Sequence, residues 1–161
     1  MDPLLEFAMA IKAGQRFLER MSNEAMRPLG ITGAQADALT VIGQAGPLSL
    51  KELGELLIAE AGHPSRLIDR LVEAGLVERE AASDDRRRIV LKLTPAGRKL
   101  ERRIERTRKQ VIVAGRQLLG DLDVEEVMPV VRQLLALTPY GELLERRREL
   151  AEESTAKLAQ A

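Results

Sequence analysis

The stretch SLKELGELLIAEAGHPSRLIDRLVEAGLVEREAASDDRRRIVLKLTPAG, residues 49–97, holds two helical patterns, a change of period and the start of a further helix. It opens with Ser49 three residues before Glu52. That is the spacing of a capping box, in which each side chain satisfies an orphan backbone N–H at a helix start. A short helix over 50–57 is expected, with Leu53 and Leu56 or Leu57 turned inward. After a turn over 58–62, a second helix runs over 63–74. Its apolar residues Leu67, Ile68, Leu71 and Val72 recur at helical spacing, and Gly75 is placed to cap its end. Beyond Gly75 the period falls towards two. Residues 76–79 and 89–93 read as strands, the second alternating Ile89, Leu91 and Leu93 against Val90 and Lys92, with 81–88 as the polar connection. Thr94-Pro95 then opens another helix, a threonine cap followed by proline at the first helical position.

A capped helix, a tight turn and a second amphipathic helix have the spacing of a helix-turn-helix. The apolar stripes would lock both helices on a core. The other face of the second helix, with His63, Ser65, Arg66, Asp69, Arg70 and Glu73, is left to enter a DNA major groove N-terminus first. Gly62, His63, Ser65 and Arg66 lie at the end that would point at bases, and Ser49 and Arg70 complete the expected helical contacts. By spacing alone an ordinary helical hairpin fits as well. The ribbon that follows is what discriminates, because a two-stranded ribbon directly after a helix-turn-helix is a wing. Its tip reads Ser83-Asp84-Asp85-Arg86-Arg87-Arg88. Three adjacent arginines repel one another and add little to the stability of a loop. On DNA they would neutralise phosphates, and one guanidinium could enter the minor groove, where negative potential is concentrated. Asp85 can hold one of them in a fixed pose. The competing reading is a solvated charge run. His63 has three readings: a hydrogen bond to a base or phosphate, a pH sensor, or an exposed histidine beside a helix cap.

The charge balance agrees once its distribution is considered. The 161 residues carry 25 Lys and Arg and 25 Asp and Glu, for a net charge of zero. Between Arg86 and Lys109, however, eleven Lys or Arg face only Glu101 and Glu105, so that stretch is +9 and the remainder −9. Such a segment on an acidic body makes a local anion-attracting field, unless it is simply a solvated helix with internal salt pairs. There is no cysteine, which excludes disulfides and thiolate chemistry, and a single histidine argues against a zinc site. No apolar run reaches membrane-spanning length, and Met1-Asp2-Pro3 does not open a signal peptide, so a cytoplasmic protein without membrane partner is expected.

Outward from the central stretch the chain reads as helical. An amphipathic helix is expected over 4–26, with Leu4, Ala8, Ile11, Leu18, Met21 and Ala25 on one face and Pro28 and Gly30 ending it. Thr32 caps a helix over 33–44, stopped by Gly46-Pro47. Another long helix spans 95–119. Asp123 and Glu126 look like a cap pair for a sixth, to about Leu137, with Pro129 near its first turns. A charged helix over 142–159 ends the chain, to embrace a partner subunit or to stand solvated. The fold class expected is mainly α with a small two- or three-stranded antiparallel wing. Residues 1–31 form an N-terminal dimerisation helix, 32–97 a winged helix-turn-helix lobe with its wing at 76–93, and 98–161 C-terminal dimerisation helices. The first helix and 111–137 offer more apolar stripe than the lobe can cover, which two-fold burial would hide.

Three pieces of sequence resemble the MarR family of bacterial regulators: Ser65-Arg66-Leu67-Ile68-Asp69-Arg70-Leu71-Val72-Glu73-Ala74-Gly75-Leu76-Val77-Glu78-Arg79, then Asp85-Arg86-Arg87, then Leu91-Lys92-Leu93-Thr94-Pro95-Ala96-Gly97. The acidic-x-Arg wing signature falls on Asp85 and Arg87. The resemblance implies an obligate homodimer on a pseudo-palindromic operator, and a small anionic or phenolic ligand that releases the DNA. The chain departs from the family pattern at His63-Pro64, where the second helix opens, and it lacks the thiol of the peroxide-sensing members.

The function expected is therefore sequence-specific binding of double-stranded DNA by a transcriptional regulator, a homodimeric repressor relieved by a ligand. A constitutive DNA binder of the same fold, or a helical protein-interaction module without DNA or ligand binding, would also carry these elements. An enzyme is not expected, since no acid, base or nucleophile set and no glycine-rich phosphate loop occurs. No cofactor is expected, and no effector-pocket residue follows from the sequence.

Overall fold

A computed structural model describes residues 1–58, 64–82 and 87–159. The elements run α1 (Pro3–Met26), a short 3-10 turn (Arg27–Leu29), α2 (Gly33–Ala45), α3 (Leu50–Leu56), α4 (Pro64–Glu73), β1 (Val77–Ala81), β2 (Ile89–Leu93), α5 (Pro95–Leu119), α6 (Val124–Leu135) and α7 (Tyr140–Ala159). Among the described residues none of these helices is long and apolar enough to cross a membrane.

Local chemistry sets most boundaries. Asp2 caps α1, its carboxylate accepting from the Leu4 N–H at 2.8 Å, with Pro3 in the first turn. Thr32 and Gln35 form a capping box on α2, and Asn23 of α1 accepts from the Gly33 N–H at 2.8 Å, tying the two helices at their junction. Ser49 and Glu52 make the expected box on α3, and the Thr94 hydroxyl accepts from the Gly97 N–H at the start of α5. In α6 the reading needs correction: Asp123 accepts from the Glu125 N–H, two residues on, and Glu126 takes no part in the cap.

One core gathers the lobe. Leu39 and Ile42 of α2, Leu53 and Leu56 of α3, Ile68 and Leu71 of α4, Val77 and Leu91 of the ribbon and Ile104 of α5 are all buried, and Leu57 lies under the same layer. The ribbon is antiparallel, Val77 opposite Leu93 and Ala81 opposite Ile89. The two-or-three-strand alternative resolves as two strands plus a single bridge, in which Leu48 and Leu91 exchange backbone hydrogen bonds.

Two strand details differ from the sequence reading. The first strand starts at Val77 and runs to Ala81, because Leu76 still belongs to the turn that closes α4. Its N–H reaches back to the Leu71 carbonyl around Gly75, whose φ of 67° is the left-handed helix ending that glycine allows. The second strand does not alternate cleanly. Val90 is buried beside Leu91 while Ile89 is half exposed, so successive residues on opposite faces of the ribbon are both covered.

The junction of ribbon and α5 is tight. The Thr94 N–H donates to the Leu76 carbonyl at 3.1 Å and its hydroxyl donates to the Gly75 carbonyl at 2.7 Å. A Cβ on the buried Gly97 would lie 3.0 Å from the Leu76 carbonyl carbon and closer still to its oxygen.

Candidate nucleic-acid interface

α4 presents the surface the sequence implied. Ile68 and Leu71 anchor it in the core, with Leu67 and Val72 partly covered, while Arg66 and Arg70, one helical turn apart, are exposed. Ser65 is half-buried in the first turn. Asp69, expected on the open face, is engaged: the Arg79 guanidinium on β1 donates to its carboxylate at 2.6 Å. That charge-assisted bond ties the middle of α4 to the ribbon and holds the two elements in register. Arg79 was legible in the sequence only as a strand residue; an acid and an arginine ten residues apart across the Gly75 turn were the available signal.

Ser49 sits at the head of α3, half-buried. Its N–H donates to the Glu52 carboxylate at 2.7 Å and its oxygen accepts from the Glu52 N–H at 3.2 Å. The Glu52 carboxyl is held below the usual carboxylate range by the Ser49 backbone N–H first, then the Ser49 hydroxyl, with Arg88 and Arg146 adding attraction. The start of α3 and the Arg88 end of the wing thus lie within electrostatic reach of each other. Arg87 and Arg88 are exposed just before β2. Gly62, His63, Asp85 and Arg86 lie outside the described residues.

Behind the wing the basic stretch divides. Lys92 pairs with Glu80 across the ribbon, Arg98 donates to the Leu93 carbonyl at 2.6 Å, and Lys109 pairs with Glu105 at 2.9 Å. Arg108 turns inward to Asp37 and Thr40. Arg102 and Arg103 remain on the exposed side of α5. The +9 segment is therefore partly spent on holding the fold, and its outward field is smaller than the sequence count suggests. Glu101, half-buried against Gly43 of α2, has its pKa raised, by burial first and by Glu105 second.

Two helices packed at α3 and α4, an antiparallel ribbon directly after them and arginines on both exposed edges define a winged helix-turn-helix domain. The MarR family model matches residues 29–88, and the chain belongs to that family. The multiple antibiotic resistance protein MarR of Escherichia coli (strain K12) is 39% identical over 79 residues, covering 49% of this chain and 55% of that protein. The HTH-type transcriptional regulator YwoH of Bacillus subtilis is 32% identical over 91 residues, 56% and 66% of the two chains. The chain thus spans little more than half the length of the MarR proteins it matches. In three dimensions the likeness is longer. A mutant E. coli MarR complexed with operator DNA has a TM-score of 0.72 at 29% identity, over 84% of this chain and 96% of that one. BldR from Sulfolobus solfataricus shares the fold, with a TM-score of 0.69 at 22% identity over 85% and 97%.

Proposed function

We propose that this protein is a transcriptional regulator that binds double-stranded DNA sequence-specifically as a homodimer. The observation that carries the reading is the pairing of an exposed Arg66–Arg70 face on α4 with a wing ending in Arg87 and Arg88, joined by the Asp69–Arg79 bond. Support comes from the overlap with a MarR whose structure contains operator DNA. On this reading α4 lies in the major groove. Arg66, Arg70 and Ser65 read or position it, with Gly62 and His63 at its leading end. The Ser49 hydroxyl is assigned to donate to a DNA phosphate, and Arg86, Arg87 and Arg88 are assigned to the neighbouring phosphates, with Asp85 to hold one of these arginines in a fixed pose.

The dimer reading rests on apolar surface without a cover in the single chain. Leu4, Ile11 and Leu18 of α1 are 75%, 55% and 67% exposed, and Ile112 and Val113 of α5 and Val130 of α6 are open as well. Pairing residues 1–31 and 98–161 with those of a second copy would bury these stripes and hold two 32–97 lobes over successive major grooves about 34 Å apart. We assign no reaction to the protein and place it in the cytoplasm with the DNA. A small anionic or phenolic ligand lodged between lobe and dimerisation helices would release it.

Selection of bound duplexes from a random pool tests the proposal. The expected result is an inverted repeat whose half-sites are one helical turn apart, bound with an affinity that falls steeply with salt. No enrichment, with no salt-dependent duplex binding, would leave the helical interaction module as the better reading.

A further inference from the structure

The charged C-terminal helix is the part of the chain that the DNA-binding reading leaves idle, and it lies beyond the residues matched by the family model. It does not stand in solvent. The chain reverses after α6 at a turn where the Thr138 hydroxyl donates to the Leu135 carbonyl and a Cβ on Gly141 would come within 2.9 Å of that same oxygen. The reversal sends α7 back over α2 and α3, where Leu150 packs against the lobe core. Arg147 is 15% exposed at its side chain, Asp37 of α2 22%. One Arg147 nitrogen donates to Asp37 at 2.8 Å, and the other reaches the carbonyl of Leu56, the last residue of α3, at 3.5 Å. Arg108 of α5 approaches the same carboxylate at 3.5 Å while donating to Thr40 at 3.1 Å. One carboxylate on α2 therefore gathers a guanidinium from the helix that continues the wing and another from the C-terminal helix.

We propose that α7 is a strap locked by Arg147 between Asp37 and the end of α3, and that this lock sets how the helix-turn-helix lobe is held and hence its affinity for DNA. The proposal rests on the DNA-binding reading for its second half only. A largely buried, forked, charge-assisted contact has one geometry, and removing either partner leaves the other charge poorly satisfied. Arg147 grips the end of α3 from which the chain leads to α4, so slack in the strap becomes slack in the recognition helix. None of the three charged residues belongs to the DNA-facing set. They are positioning residues.

The test uses the full chain with Arg147→Ala, Arg147→Lys, Asp37→Asn and the Arg147→Ala/Asp37→Asn double variant. Arg148→Ala is the control, since that neighbour is 54% exposed and its ion pairs, to Glu145 and Glu152, stay within α7. Hydrogen exchange is measured without DNA, and affinity is measured on the selected duplex across a salt series. Arg147→Ala should speed exchange of the α7 amides about tenfold while the control stays within about twofold. Its duplex affinity should change about fivefold or more with an unchanged salt slope, because no phosphate contact is lost. Arg147→Lys, which keeps the charge but not the fork, should fall between, and the double variant should be no worse than the worse single. Unchanged exchange in Arg147→Ala overturns the lock. Faster exchange with unaltered affinity overturns the coupling to the lobe. A wild-type chain that binds no duplex overturns the DNA reading and the affinity claim with it, while the exchange arm still decides the lock.

Discussion

Replacing Gly97 with alanine sets two effects of opposite sign against each other. Gly97 lies in the first turn of a long helix, where helix propensity alone favours alanine by up to about 1 kcal/mol. The new methyl, however, would fall against the Leu76 carbonyl, inside the 3.0 Å that real Cβ contacts essentially never breach. The obstacle is backbone, not the tip of a flexible side chain, so the ribbon and α5 must part by about 1 Å, an overpacking strain of about 1–3 kcal/mol. The Leu76 carbonyl also accepts from the Thr94 N–H at 3.1 Å. Weakening that bond adds about 1 kcal/mol. The sum after the propensity gain is a loss of about 1–3 kcal/mol, and at about 2–4 °C per kcal/mol for a chain of this size, a Tm lowered by several degrees. Thermal unfolding at one fixed protomer concentration measures it, because the Tm of the proposed dimer would move with concentration. Gly54→Ala in α3 is the comparison: its Cβ would meet only Pro64 Cγ at 3.5 Å, an ordinary contact, so propensity should win and Tm should hold or rise. A Gly97→Ala protein as stable as wild type would refute the close approach of α5 to the end of α4.

Arg87→Ala should weaken duplex binding about tenfold or more and lower the salt slope by about two for a dimer, while Arg146→Ala changes neither much; equal affinities in gel shifts would count against the wing. Arg66→Ala should blur base preference across a library of operator variants while non-specific binding survives, and an unaltered preference would remove Arg66 from the base-reading set. Glu52→Gln should destabilise the protein at neutral pH. The folded-state carboxyl is held low by Ser49, so its contribution is present above the ordinary carboxylate pKa and is lost as pH falls through the depressed value. Denaturant titrations of the two proteins should therefore converge as pH drops from about 7 to about 3, and a gap that stays constant would deny Glu52 its charged role in the cap.

Features that depend on near neighbours in the chain were legible. The Ser49–Glu52 box, the Thr94-Pro95 start and the inward Ile68 and Leu71 all follow from spacings of four residues or fewer, and each stands where the pattern put it. Arg66 and Arg70 were readable on the open face for the same reason, being what remains once the apolar stripe is assigned. Contacts made by folding were not legible. Asp69 looked like surface because its partner Arg79 comes from another element, and Arg108 and Arg147 looked like solvated charge because Asp37 is 71 and 110 residues away. The half-exposed Ile89 and buried Val90 broke a period-two pattern that assumes one covered face, whereas Val90 and Leu91, on opposite faces of this ribbon, are both buried. The apolar stripe of α1 was legible as a helical pattern, but sequence could not show that Leu4, Ile11 and Leu18 stand exposed in the single chain.

Thr94 has a mechanical consequence. Through its N–H and hydroxyl it fastens Leu76 and Gly75, in the turn that follows α4, to the first turn of α5, while Gly97 keeps the two in contact. The 25 residues of α5 make a rod about 37 Å long. A rocking of that rod by about 5° about its first turn moves its far end by about 3 Å. In the proposed dimer, leverage applied where the two subunits meet would pass through this junction to α4.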